Sequence, residues 1–93
     1  MKPIHPGRIL KREMSVRGLS ANRLVLSLRV PSGRITQIIS GKRGISAETA
    51  LRLARYFGNN AQFWMNLQSR YDLAAVEQNI GSKVIAEVEH AAA

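Results

Sequence analysis

The segment Ser20-Ala-Asn-Arg-Leu-Val-Leu-Ser-Leu-Arg-Val-Pro-Ser-Gly-Arg-Ile-Thr-Gln-Ile-Ile-Ser-Gly41 reads as two short helices joined by a turn of about three residues, the pattern of a helix-turn-helix. Ser20 offers the side-chain oxygen that an N-cap needs, and Ala21 to Leu28 follow as the first helix. Leu24, Leu28 and Val30 give that helix and the turn an apolar side. The second helix starts near Pro31 or Ser32 and ends at Ser40, with Ile35 and Ile38 turned inward and Ile39 at the edge. Ser32, Gly33, Thr36, Gln37 and Ser40 are left facing outward. Small and amide side chains there suit a helix lying in the major groove, because a Gln amide can bond adenine at two points and Ser or Thr hydroxyls serve several base edges. Arg34 lies off that face, within reach of a phosphate. Lys42 and Arg43 follow the helix end and suit phosphates too. Asn22 and Arg23 occupy the first turn of the preceding helix, where backbone N–H groups favour phosphate. The same spacing also fits two ordinary helices with a solvated polar face, so pattern alone leaves the function open.

Outward from this segment the chain reads as helix throughout. A first helix is expected over Pro6–Val16, with Pro6 suited to a first turn and Ile9, Leu10 and Met14 on the apolar side. A fourth is expected over Ala47–Phe57, capped by Ser46, with Glu48 placed against the helix dipole. A fifth is expected over Ala61–Val76, capped by Asn60, and a short sixth over Ser82–Glu89. Gly18, Gly41 and Gly58 each follow an apolar helical period, at the position where left-handed backbone ends a helix. Residues 1–80 form the expected domain, and 81–93 a C-terminal segment that is partly helical or frayed. Phe63, Trp64 and Tyr71 recur with Leu67 at helical steps. Such aromatic residues can stack on single-stranded bases, but a core or a dimer interface is the commoner use of this spacing.

The charge is the informative part of the composition. Fourteen Lys and Arg face six Asp and Glu, a net of +8. Residues 1–71 hold 13 of those basic side chains and only two acidic ones, whereas residues 72–93 are net −3. A body this basic points to a polyanion, since each cation set on a phosphate releases condensed counterions. No apolar run approaches the ~18 residues of a membrane span. Met1 to Gly7 contain no apolar h-region, so no secretory signal is expected and the cytoplasm is the expected compartment. There is no cysteine, which excludes disulfides and thiolate metal sites. His5 and His90 lie at opposite ends of the chain. Glu13 and Glu48 are lone acids among cations, and Gly41-Lys-Arg-Gly44 lacks the spacing of a P-loop. No catalytic residue, metal site or cofactor is expected, and the chain does not read as an enzyme.

The spacing of Leu24, Val30, Ile35 and Ile38 resembles the helix-turn-helix of the Xre/Cro repressor family. Six blocks extend the likeness over residues 3–80. They are Ile4-His-Pro-Gly-Arg-Ile-Leu10, Asn22-Arg-Leu24, Ile35-Thr-Gln-Ile-Ile39, Gly41-Lys-Arg-Gly-Ile45, Thr49-Ala-Leu-Arg-Leu-Ala54 and Phe63-Trp-Met-Asn-Leu-Gln68. Together they resemble the HigA (VapI-like) antitoxins, and the last block is fairly specific to that group. The resemblance implies an all-α, five-helix lambda-repressor-like domain. It also implies a homodimer that represses its own operator in double-stranded DNA and neutralises a HigB-type ribonuclease toxin. The dimer contact is expected on the fifth helix, at Trp64, Leu67 and Tyr71, and on the C-terminal segment. The acidic stretch from Asp72 is a candidate toxin contact. Three positions depart from the family pattern: Ala21 stands for Gln, Val25 for Ala, and Arg29 for the Gly of the turn. A left-handed backbone at Arg29 carries strain of ~1 kcal/mol. Two other readings stay open: a stand-alone Xre-type regulator without a toxin, and a protein-interaction module with weakened DNA binding.

Overall fold

The computed structural model describes residues 2–91; Met1, Ala92 and Ala93, where the N-terminal reading begins and the frayed tail was expected, lie outside them. The described residues form five helices: α1 (Pro6–Val16), α2 (Ala21–Leu28), α3 (Arg34–Ile39), α4 (Ala47–Phe57) and α5 (Ala61–Glu87). Four of the five starts carry a side-chain cap. Ser20 Oγ accepts from Arg23 N–H, Ser46 Oγ from Thr49 N–H, and Asn60 Oδ1 from Phe63 N–H, at 3.1, 3.2 and 2.8 Å. His5 caps α1 through Nδ1, which accepts from Gly7 N–H at 2.9 Å. Accepting requires a lone pair, so the imidazole there is neutral. Burial pushes its pKa down from the ordinary value, and the opposing carboxylate of Asp72 does not reverse this.

The core is made by one apolar face from each helix. Leu10 and Met14 of α1 meet Leu24 and Leu28 of α2, Ile35 and Ile38 of α3, and Ala50, Leu53 and Ala54 of α4. Ile45 closes it from the α3–α4 loop. Trp64 of α5 sits in the middle with none of its surface exposed. Its indole N–H donates to Asn59 Oδ1 at 3.0 Å, and Phe57 and Phe63 flank its ring at 5.9 and 5.1 Å. The expected place of Trp64 in a dimer contact is therefore corrected: this ring is spent inside the protomer.

Three further expectations change. Helix α3 begins at Arg34, not near Pro31 or Ser32, because Gly33 takes φ +85° and cannot be helical. Gly33 is thus the residue before the helix, where its freedom is used, and not a weak position inside it. The fifth and sixth helices are one. Helix α5 runs 27 residues, through position 80 and through Gly81, to Glu87. No proline interrupts it, and one internal Gly costs only ~1 kcal/mol against good helix formers on either side. The turn position Arg29 does take left-handed angles, φ 57° and ψ 49°, the single positive φ at a non-glycine among the described residues. Its N–H closes α2 onto Val25 O. Arg29→Gly is therefore expected to raise stability by up to about 1 kcal/mol, read as a higher denaturant midpoint at unchanged slope.

Candidate nucleic-acid interface

Helix α3 is only six residues long, so its position is set by tertiary packing. Ile35 and Ile38 are buried without residue in the core. Gly7 of α1 lies so close behind it that a Cβ there would stand 2.0 Å from Ile38 O. The opposite side of α3 presents Thr36, Gln37 and Ser40, all exposed. Ser32 is exposed just before the helix and Gly33 half-buried at its start. The expected reading residues therefore converge, with Ser32 and Gly33 supplied by the turn and not by the helix itself.

The phosphate candidates divide. Asn22 and Arg23 are exposed in the first turn of α2, where the helix dipole favours phosphate. Lys42 and Arg43 are exposed just past α3, and both backbone N–H groups return to Gln37 O, at 2.9 and 3.2 Å. Arg43 is tied to the reading face as well: its Nε–H donates to Gln37 Oε1 at 2.8 Å. Gln37 and Arg43 thus form one polar unit. Ser40 Oγ donates to Gln37 O at 3.1 Å. Arg34 is placed between α3 and α4. It is half-buried, and Nη1 donates to Thr49 Oγ1 at 3.4 Å, which turns it towards α4. Leu67 and Tyr71 are half-buried, and Tyr71 meets the His5 ring edge-on at 4.8 Å.

Two residues that position the interface were not expected. Gln68 accepts from Ile45 N–H at 2.7 Å and donates to Asp72 at 2.9 Å, which anchors the Lys42–Arg43 loop onto α5. Its place at the end of the Phe63–Gln68 block was a signal, but its partner lies 23 residues away. Arg52 donates to Leu28 O at 2.9 Å and pairs with Glu48 at 3.2 Å, so it satisfies the end of α2 beside the turn. No local pattern marks that contact. The two ion pairs of the described residues, Arg17–Glu13 and Arg52–Glu48, leave Arg23, Lys42 and Arg43 without a carboxylate. The interface therefore carries uncompensated positive charge around small polar side chains.

A short, core-anchored α3 with a polar outer face, preceded by α2 and a tight turn, defines a helix-turn-helix protein of the Xre/Cro class. No family model matches the chain. Virulence-associated protein I of Dichelobacter nodosus is 51% identical over 80 residues, which cover 85% of this chain and 74% of that protein. The structure of an addiction module antidote protein of a HigA family from Coxiella burnetii superposes with a TM-score of 0.94 at 44% identity, over 98% of this chain and 100% of that one. Pseudomonas aeruginosa antitoxin HigA, solved with the higBA promoter, superposes with a TM-score of 0.91 at 44% identity, over 95% and 97%. The chain belongs to the HigA family of antitoxins.

Proposed function

We propose that this chain is the antitoxin of a HigB-type ribonuclease and a homodimeric, non-catalytic repressor that binds its own operator in the cytoplasm. The observation that carries this reading is the polar face of Thr36, Gln37 and Ser40, held between cations without a carboxylate partner on a chain that superposes on an antitoxin solved with promoter DNA. Each protomer would lay α3 in a major groove, with half-sites about 34 Å apart. Thr36, Gln37, Ser32 and Gly33 face base edges, while Asn22, Arg23, Lys42 and Arg43 hold the backbone. Arg34 reaches a phosphate through the guanidinium N–H groups that its bond to Thr49 leaves over.

The test is a mobility-shift titration of the gene's own promoter and of random DNA at several salt concentrations. Preference for the promoter is expected, and none would end the repressor reading. Gln37→Ala is expected to lose about 1–3 kcal/mol on the operator and to relax one base position. Lys42→Ala is expected to weaken operator and random DNA alike and to lower the log–log salt slope by about one. Equal losses on both DNAs from Gln37→Ala would show that the reading face lies elsewhere. Co-purification with the product of a neighbouring gene encoding a small basic ribonuclease tests the antitoxin role. Absence of such a partner reduces the protein to a solitary regulator.

The dimer contact is supported by the far half of α5. Leu73, Val76, Ile80 and Val84 are exposed and recur at three- and four-residue steps, the period of one helical face. This stripe lies on the arm of a molecule measuring 52 × 24 × 23 Å, beyond the body that α5 covers. Ile80→Asp is expected to yield monomers by light scattering and to depress operator affinity, since two half-sites no longer bind as one. A variant that stays dimeric would place the contact on another surface.

A further inference from the structure

Helix α1 carries a second row of cations that the helix-turn-helix does not use. Arg8, Lys11, Arg12 and Ser15 are exposed on the side opposite Leu10 and Met14. The three cations have no hydrogen-bond or carboxylate partner among the described residues; the only acid of the helix, Glu13, is taken by Arg17. They line a shallow groove whose wall includes Ile39 of α3. No acidic side chain lines it. The groove is held beside the reading helix by backbone contact, since the first turn of α1 rests on Ile38 and Ile39 at Gly7.

A helix seated in the major groove has a phosphate strand along each flank. From Arg8 to Arg12 the cations extend about 6 Å along α1. Phosphates on one strand recur about every 3.4 Å along the axis, so this length matches about three of them. We propose that Arg8, Lys11 and Arg12 form a backbone clamp on the DNA strand flanking α3, adding affinity that is independent of base sequence. This clamp rests on the operator-binding reading above.

The test compares R8Q/K11Q/R12Q with R55Q/R70Q/K83Q. Both remove three exposed positive charges, but Arg55 lies on α4, and Arg70 and Lys83 lie along α5. The α1 triple variant is expected to lower the salt slope by about two to three per protomer, at about 0.9 for each phosphate lost, on promoter and random DNA alike. Its preference for the promoter is expected to persist, and the control triple to leave the slope near wild type. If wild type prefers the promoter and the α1 triple keeps the wild-type slope, the clamp is wrong and the reading of α3 survives. Loss of a protein partner by that same variant, with DNA binding intact, would make the row a protein contact and overturn the clamp. Equal slope losses in both triples would show only bulk charge, and likewise overturn it. A wild type without promoter preference removes both readings together.

Discussion

Trp64→Ala is expected to destabilise the protein by about 3–5 kcal/mol. A chain of this length has about 5–14 kcal/mol in total, so much of the population would unfold under mild conditions. The size of the effect comes from where the ring sits. It has no exposed surface, it packs α5 onto α4 through Phe57, and it is the largest fully buried side chain of the core. Truncation would leave a void between α5 and α4 that the surrounding core could fill only in part. The indole hydrogen bond adds little, because its acceptor Asn59 is exposed and water can replace the donor. Trp64→Phe is accordingly expected to cost much less than Trp64→Ala. Urea unfolding followed by far-ultraviolet circular dichroism measures both, and it is needed because this is the only tryptophan for fluorescence. A dimer-interface residue would behave differently: its loss would shift the concentration dependence of association and leave the protomer intact. An alanine variant with a wild-type midpoint would refute the placement in the core.

Helices α1, α2 and α4 were legible because their determinants are local. Ser20 and Ser46 stand one residue before an apolar period, and their oxygens do bond the third N–H onward. Arg29 was legible as a strained turn because the family places glycine there, and the backbone is indeed left-handed. The start of α3 was not, since Pro31 and Ser32 look like good first-turn residues. What decides it is the left-handed conformation of Gly33, which places the helix start one residue later. The length of α5 is not legible in the sequence for another reason. Its end from Val76 onward carries Gly81, which suggests a break, but one internal glycine does not forbid helix. On the site itself, exposure along α3 follows from period alone. The turning of Arg34 to Thr49 and the anchoring of the loop by Gln68 do not, because each depends on a partner on another helix.

Gly7→Ala separates the local and the tertiary rules most cleanly. Residue 7 is in the first turn of α1, where alanine is favoured over glycine by ~1 kcal/mol on propensity alone. Propensity therefore predicts a stabilised protein. Packing predicts the opposite, because the added Cβ would lie 2.0 Å from Ile38 O, 2.8 Å from Ile38 C and 3.0 Å from Ile39 Cα. All three are backbone atoms of the reading helix and its end, and no rotamer change can relieve them. Either α1 lifts away from α3 or α3 shifts, and a backbone clash of this kind costs about 3 kcal/mol, the upper end of ordinary overpacking, which outweighs the propensity gain. Gly81→Ala is the matched control. It lies inside α5, its added Cβ would meet only Glu77 Cβ at 3.8 Å, and it is expected to gain about 1 kcal/mol. Opposite shifts in the denaturant midpoint of the two variants are the expected result. Because the clash falls on α3, the Gly7 variant should also lose promoter preference more than it loses affinity for random DNA, while Gly81→Ala should bind as wild type. If both variants gain stability, α1 does not approach α3 this closely, and the packing that seats the reading helix is wrong.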